Sequence, residues 1–296
     1  MASKELKRVL EIVRSMPVNE DASLQEMRAE MEKTAFLQPE IQGVSFAPQA
    51  IGGVRGAWIT PEAAEKNAAV LYFHGGGYCM GSINTHREMA SRIAAASKTR
   101  VFIIAYRLAP EDPFPAALKD AETVYRGMLK NGRSPEKMVV AGDSAGGGLA
   151  VALLLRLKAC KLPLPAAAVC ISPWLDLTLS GDSMKKKRHL DHVVRHELIS
   201  KMARAYLNGE DPSNPLASPL FGNLENLPPM LIQVGTAEVL MDDSVRLAHK
   251  ATAAGVDVTL ETWEDMVHVW HTFAEILPEA GEAIDAIGSY VLHHAR

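Results

Sequence analysis

Short runs of consecutive apolar residues recur along the chain and alternate with segments of helical periodicity. A strand buried on one face alternates apolar and polar residues, whereas an unbroken apolar run indicates a strand that is covered on both faces. Strands that alternate with helices are joined by right-handed crossovers into a mostly parallel sheet. The sequence therefore predicts a doubly wound α/β fold with helices on both faces, and its strands are expected at residues 68–73, 101–106, 138–141, 166–171, 230–234 and 256–262.

Two local signals flank the first of these strands. Residues 44–59, with a Gly-Gly pair in the middle, predict an antiparallel hairpin at the edge of the sheet. On the other side, Thr85 and Glu88 have the spacing of a capping box. They predict a helix that begins there and continues through residues 89–96.

Two regions depart from the repeating pattern and together predict a helical cap over the strand ends. Residues 1–40 carry two amphipathic helices, the second of which is opened by Ser23. Residues 176–226 form an insertion that is too long for a plain loop, and it holds a predicted helix near residues 196–207. The remaining residues are expected to form the α/β core, at 41–175 and 227–296.

The composition is that of a globular protein and excludes several classes of partner. With 48% hydrophobic and 22% charged residues, the 296-residue chain is not mainly disordered. A net charge of −4 argues against nucleic acid and anionic membranes as partners, and the one basic cluster, residues 185–188, is expected to be a solvated surface. Three cysteines without metal-type spacing, together with the lack of a recognisable signal peptide or membrane span, predict a cytoplasmic protein without stable membrane insertion.

Ser144 lies at the centre of the sequence Gly-Asp-Ser-Ala-Gly, residues 142–146, between a predicted strand and a predicted helix. This G-x-S-x-G pattern is typical of a nucleophile elbow, in which glycines permit a turn sharp enough to expose the serine. The amides and dipole of the following helix would face an anion formed there. Since the short pattern also recurs by chance, a catalytic role requires partners at other strand ends, where reactive groups gather in open α/β sheets.

The first such end is glycine-rich. His74 is followed by Gly75, Gly76 and Gly77, three consecutive residues that allow backbone amides to approach a small anion. An oxyanion hole, a purely structural loop and a phosphate loop are the alternatives. The phosphate loop is disfavoured because no Gly-Lys-Ser/Thr follows.

The next end, after residues 230–234, offers three carboxylates: Glu238, Asp242 and Asp243. Glu238 lies nearest the strand end, whereas Asp242 and Asp243 lie where helix capping is the more common role. Asp242 stays open as the alternative acid.

The last end supplies histidines. His268 follows the final predicted strand directly, and His271 lies one turn later. With a nucleophile, a glycine loop and an acid already assigned, His268 is the expected base. The chain order Ser144, Glu238, His268 is the order typical of α/β-hydrolases.

At this point the chain resembles a known family, the bacterial hormone-sensitive-lipase-like esterases of the α/β-hydrolase superfamily. The motifs that carry the resemblance are HGGG at 74–77, YRLAPE at 106–111 with PFPAA at 113–117, GDSAGG at 142–147 and PLASP at 215–219. Two departures concern the site. Glu238 stands where the family usually has aspartate, with Asp242 on the family's second aspartate, and His268 precedes Val269-Trp270 where the family usually has Gly-Phe.

The resemblance implies the α/β-hydrolase fold with a helical cap and a serine carboxylesterase that hydrolyses short- to medium-chain acyl esters without a cofactor. Ser144 would be the nucleophile, His268 the general base and acid, and Glu238 the orienting acid. The amide of Ala145 and those of the glycine loop, Gly75 included, would form the oxyanion hole. The alternatives are an amidase or deacetylase with the same machinery, and a non-catalytic receptor whose pocket binds a ligand.

Three further features of the sequence concern metal ligands, the substrate pocket and self-association. His189, His192 and His196 would line one side of a helix as metal ligands do, but the expected mechanism needs no metal. Four large side chains either form walls of the substrate pocket or pack within the cap, and the sequence supports both roles equally: Tyr78, Met80, Trp174 and Trp270. The exposed edge of the last strand, near residues 256–262, predicts the seam of a homodimer.

Overall fold

One mixed sheet organises the part of the chain that the computed structural model describes, which is residues 3–15, 22–35, 39–65 and 67–295. Its strands are β1 Val44–Ile51, β2 Val54–Pro61, β3 Ala69–Phe73, β4 Arg100–Ile104, β5 Met138–Asp143, β6 Ala167–Ile171, β7 Met230–Gly235 and β8 Val258–Trp263. They lie in the order β1-β2-β4-β3-β5-β6-β7-β8. The hairpin β1/β2 is antiparallel, β2 pairs antiparallel with β4, and all other pairs are parallel.

Helices connect and cover these strands. They are α1 Lys4–Ser15, α2 Leu24–Ala35, α3 Ile83–Ser97, α4 Ala116–Lys130, α5 Ala145–Ala159, α6 Ser183–Lys186, α7 His196–Leu207, α8 Met241–Ala253 and α9 Pro278–His294. Short 3₁₀ turns lie at Pro135–Lys137, Pro219–Phe221 and Trp270–Phe273.

The sheet is buried on both faces, as the unbroken apolar runs predict. Along β3, Leu71 and Phe73 face the cluster formed with α4, α5 and α8, whereas Val70 and Tyr72 face the cluster formed with α3 and α9. All residues of β3, β5, β6 and β7 are buried. The predicted α/β-hydrolase architecture, a mostly parallel sheet between two helical layers, is therefore confirmed.

The register brings the carboxyl ends of the central strands to one edge of the sheet. Asp143 at the end of β5 is paired with Ile171 at the end of β6, and Gly235 at the end of β7 is paired with Trp263 at the end of β8. The loops that follow β3, β5, β6, β7 and β8 consequently meet above this edge, where the candidate site lies.

Helix α3 begins earlier than the sequence predicts. Its N-cap is Ser82, whose hydroxyl accepts the N–H groups of Asn84 and Thr85, while the Thr85 hydroxyl accepts the N–H of Ser82 at 2.8 Å. The prediction of a capping box that opens at Thr85 is therefore wrong, since Thr85 is the last residue of the box, at position N3 of the helix. Glu88 forms an ion pair with Arg92 instead.

The two regions predicted as the cap are in contact with each other. Arg14 of α1 donates to His192 at 3.2 Å, and Lys201 of α7 donates to the carbonyl of Ala22 at 3.2 Å. Ser23 and Glu26 form the predicted capping box of α2. Residues 16–21 and 36–38 of the predicted cap lie outside the described residues, as do residues 1, 2, 66 and 296. The division into cap and core stays a prediction.

Three other features of the fold concern membrane insertion, disulfide bonding and self-association. None of the helices in the described ranges has the length and apolarity needed to cross a membrane. Cys79, Cys160 and Cys170 are free thiols. Strand β8 forms an edge of the sheet, so its outer side is available for strand pairing, and the homodimer through this edge stays a prediction.

Candidate active site

Ser144 occupies a strained turn between β5 and α5. Its φ of +52° and ψ of −119° lie in a region that residues with a side chain rarely adopt. The flanking glycines are required by space, since a Cβ on Gly146 would lie 2.0 Å from the carbonyl oxygen of Phe73, and one on Gly142 would lie 2.4 Å from the backbone of Gly146. The N–H of Ser144 donates to the carbonyl of Ile171 at 2.8 Å, which fixes the turn above the sheet.

The Glu238 carboxylate is fully buried and bridges two strand ends. Its Oε1 accepts the N–H of Gly235 at 2.8 Å, and its Oε2 lies 2.5 Å from Nδ1 of His268. Because a carboxylate only accepts hydrogen bonds, Nδ1 carries the ring proton. In the neutral imidazole, Nε2 is then the basic nitrogen.

Ser172 completes the support of the acid, and sequence reasoning missed it. Its hydroxyl donates to Oε1 of Glu238 at 2.8 Å and accepts the N–H of Val269 at 3.2 Å. The backbone N–H of Ser172 donates to the backbone carbonyl of Gln233 at 2.7 Å. The φ of Ser172 is +44°. A polar residue directly after the buried strand β6 was the available signal.

The other candidate acids point elsewhere. Oδ2 of Asp242 accepts the N–H of Ser183 at 2.8 Å. Oδ2 of Asp243 accepts the N–H groups of Leu175 and Asp176 at 2.7 and 2.9 Å. Both carboxylates therefore anchor the segment that follows β6, and Glu238 is the one in contact with His268.

Opposing effects set the charge of His268. Burial is the largest and disfavours the imidazolium, but the Glu238 carboxylate, through its charge and its hydrogen bond, outweighs burial. The charges of Asp191 and Asp143 act in the same direction. The pKa of His268 is therefore raised above its ordinary value, while burial lowers the pKa of His271 to about 3.

The backbone amides of the glycine loop differ in their hydrogen bonding. Gly76 and Gly77 have φ values of +106° and +61°, and a Cβ on either would lie 2.2–2.4 Å from its neighbours. Within the described part of the chain, the N–H groups of Gly76, Gly77 and Ala145 carry no hydrogen bond. Gly75 differs, because its N–H donates to Oδ1 of Asp143 at 3.1 Å. Its inclusion among the oxyanion donors is corrected on this ground.

Asp143, next to the nucleophile, ties three elements together. Besides the N–H of Gly75, its carboxylate accepts the hydroxyl of Tyr72 at 2.7 Å and lies 3.3 Å from Nε2 of His86. Burial raises its pKa, but His86 and the hydroxyl of Tyr72 outweigh burial, so the pKa of Asp143 is lowered overall. These buried contacts of Asp143 fix the glycine loop relative to the elbow.

The loop is also held from its other side. The ring of His74 stacks on Tyr106 at 4.2 Å between centroids, and the Tyr106 hydroxyl donates to the carbonyl of His74 at 2.6 Å. Burial lowers the pKa of His74 to about 3, so His74 is a neutral packing group at physiological pH. Tyr106 of the YRLAPE motif therefore holds the loop that the HGGG motif forms.

Large side chains surround this machinery. The ring of Tyr78 stacks on that of Tyr206 in α7, with 3.9 Å between the centroids. The backbone N–H of Trp174 donates to the carbonyl of Ser144 at 2.9 Å. Half-buried Met80 lies in the glycine loop, where its N–H donates to Gly76. Their role as pocket walls stays a prediction. Trp270 is fully buried in a separate cluster with α1, so it packs the N-terminal helix.

The three histidines of the metal-like pattern, His189, His192 and His196, do not share a helix. Helix α6 ends at Lys186 and α7 begins only at His196, which leaves His189 and His192 in the turn between them. His192 accepts a hydrogen bond from Arg14. Within the described ranges, no group of three or more His, Cys, Asp or Glu side chains is arranged to hold a metal ion.

Known proteins are similar to this chain over most of its length. The family model described as alpha/beta hydrolase fold matches residues 70–272. An acetyl-hydrolase from Streptomyces hygroscopicus is 45% identical over 241 residues, which cover 81% of this chain and 80% of that protein. An esterase from Acinetobacter venetianus is 35% identical over 265 residues, covering 89% and 87%.

Solved structures are similar over nearly the whole chain. The crystal structure of an esterase from the bacterial hormone-sensitive lipase family has a TM-score of 0.96 at 42% identity, with 100% of both chains covered. That of EstE5, soaked with p-nitrophenyl butyrate, has a TM-score of 0.96 at 43% identity, with 99% of both chains covered. The chain therefore belongs to the α/β-hydrolase fold family, in its branch of bacterial hormone-sensitive-lipase-like esterases.

Proposed function

We propose that the protein hydrolyses carboxylic esters of short to medium acyl chain in two steps, through an acyl-enzyme formed on Ser144. Membership of the esterase branch supports ester hydrolysis as the reaction class. The observation that carries the residue roles is the 2.5 Å contact between Glu238 Oε2 and His268 Nδ1, on loops that meet the Ser144 elbow.

In the first step, Nε2 of His268 takes the proton of the Ser144 hydroxyl as its oxygen attacks the ester carbonyl. Glu238 holds the ring with Nδ1 protonated and stabilises the imidazolium that forms. The hydrogen bond between serine and histidine often becomes short only when substrate is bound. His268 then gives its proton to the departing alcohol.

The tetrahedral intermediate carries a negative oxygen, for which the N–H groups of Gly76, Gly77 and Ala145 are the proposed donors. Their backbone positions are fixed before substrate arrives, so no reorganisation is needed during the reaction. One such donor is typically worth about 3–4 kcal/mol in the transition state.

In the second step, water attacks the acyl group on Ser144. His268 accepts a proton from that water and returns one to the serine oxygen as the carboxylic acid leaves. Each step uses only groups of this chain and water.

The substrate class rests on similarity. One relative is named an acetyl-hydrolase, and EstE5 was soaked with a butyrate ester. A cytoplasmic location and a homodimer through β8 remain part of the proposal.

Hydrolysis of p-nitrophenyl butyrate by the wild type and by Ser144→Ala tests the function. We expect the variant to lose at least about a thousandfold in kcat. Its unfolding transition should remain, and the exposed Ser213→Ala should retain full activity. Undiminished hydrolysis by Ser144→Ala would overturn the proposal, and a series from acetate to palmitate esters tests the chain-length part.

A further inference from the structure

The turn that carries Glu238, residues 235–239, is held from two sides and is called the acid turn below. On one side it is bonded to the chain leading to the histidine. The N–H of Thr236 donates to the carbonyl of Trp263 at 2.9 Å, and the N–H of Ala237 donates to that of Met266 at 3.0 Å. These bonds connect the turn that bears Glu238 to the loop that bears His268.

On its other side, the acid turn is bonded to residues 183–191 of the insertion, the clamp segment. The Ser183 hydroxyl donates to the carbonyl of Val239 at 2.5 Å. The Lys187 ammonium donates to the carbonyl of Thr236 at 2.6 Å, and Oδ2 of Asp191 accepts the N–H of Val239 at 2.9 Å. All three contacts are to the backbone of the acid turn: two at Val239, directly after Glu238, and one at Thr236, two residues before it.

Two of these contacts, those of Ser183 and Asp191, are buried, which makes them stronger than surface contacts, and the contact of Lys187 is partly buried. Asp191 is only 4% exposed, and its other oxygen accepts the N–H groups of Val193 and Val194 at 2.9 and 2.8 Å. Ser183 is 2% exposed, and it also accepts the N–H of Asp242 at 3.1 Å. The clamp segment is itself well fixed, so it can hold the turn in place.

We propose that Ser183, Lys187 and Asp191 are positioning residues that fix Glu238 against His268 through the backbone of the acid turn. The inference rests on the proposed function and deepens it. It assigns to the insertion a catalytic support role, in addition to covering the site.

A positioning role has a distinct kinetic signature. Glu238 stabilises the imidazolium, which forms in the transition state, so a displaced acid lowers kcat while KM changes little. Displacements of about 1 Å at a catalytic group can cost about a hundredfold in rate. A residue that only shaped the substrate pocket would change KM instead.

Two adjacent lysines provide a matched pair of variants. Lys187 reaches the acid turn, whereas Lys186 pairs with Asp182 at 2.6 Å on a surface where both side chains are 73% exposed. With p-nitrophenyl butyrate, Lys187→Met should lower kcat about tenfold and change KM less than about twofold. Lys186→Met should leave both constants unchanged, and Ser183→Ala should follow Lys187→Met.

The effect must also disappear when the acid is absent. In a Glu238→Ala background, Lys187→Met should lower the residual kcat by less than about twofold, because the residue acts through Glu238. An equal loss in both backgrounds, or identical behaviour of Lys187→Met and Lys186→Met, would overturn the inference. Undiminished kcat in Glu238→Ala alone would instead overturn the proposed role of the acid.

Discussion

The Asp242 carboxylate accepts the backbone N–H of Ser183 at 2.8 Å and thus faces the clamp segment. Asp242 occupies the position of the family's second aspartate, which made it the alternative acid. Its contact with Ser183 gives it a structural role, and the glutamate four residues earlier is the carboxylate that meets His268.

The two carboxylates should therefore differ in kinetic importance. We expect Glu238→Ala to lower kcat at least about a hundredfold, since the imidazolium loses its partner. Asp242→Ala should cost less than about tenfold, through the clamp segment. Steady-state kinetics on p-nitrophenyl butyrate measure both, and the reverse ranking would move the acid role to Asp242.

The pH profile reports on His268, which acts as a base only when neutral. Its pKa is raised because Glu238 outweighs the effect of burial. We therefore expect kcat/KM to fall as the pH decreases through a midpoint above about 6.5, the ordinary histidine value. Glu238→Gln removes the charge and should move this midpoint to lower pH, whereas Asp242→Asn should not. A profile that stays flat down to about pH 4 would contradict a histidine base.

Two glycines should respond to alanine in opposite directions. At Gly146 the new Cβ would lie 2.0 Å from the Phe73 carbonyl, so Gly146→Ala should lower the free energy of unfolding by about 3 kcal/mol or more and reduce kcat. At Gly281 in α9 nothing lies within 4 Å of the added Cβ, so Gly281→Ala should raise the free energy of unfolding by about 0.5–1 kcal/mol. Urea unfolding of both variants tests the pair, and equal effects would disprove the steric account of the elbow.

Asp243 should make stability depend on pH. Burial raises its pKa to about 8, so the folded protein holds a proton that the unfolded chain loses near pH 4. Protonated Asp243 thus contributes to the free energy of unfolding at low pH, and this contribution is lost as the pH rises towards 8. The free energy of unfolding should fall by up to about 1.4 kcal/mol per pH unit in this range. Asp243→Asn should flatten the decline in unfolding free energy between about pH 5 and 8. Identical slopes in the two proteins would contradict a protonated Asp243.

Features with local causes were predictable from the sequence. Unbroken apolar runs predict the central strands β3, β4, β5 and β6, because burial on both faces selects apolar residues. Strand β7 contains the buried Gln233, and β8 mixes apolar and polar residues and is only partly buried. The elbow at Ser144 was recognisable because its glycines are dictated by contacts within the turn and with the adjacent strand.

Features that depend on distant partners were not predictable. The N–H of Gly75 donates to Asp143, which lies 68 residues later, and the glycine pattern alone does not show that this amide already has a partner. Trp270 lies next to the histidine loop in sequence, yet α1 covers it. The bonds from Lys187 and Asp191 to the acid turn likewise have no signature in the residues themselves.

Helix α1 has a consequence for the order in which the site is completed. Its buried side chains Leu6, Val9 and Val13 contact Trp270 and the first turns of α9, which follow at the far end of the chain. A ribosome releases α1 long before it has made α9. The apolar face of α1 therefore has no native partner until residues 266–283 have been synthesised, and the loop that bears His268 receives its full packing only when α1 and α9 come together.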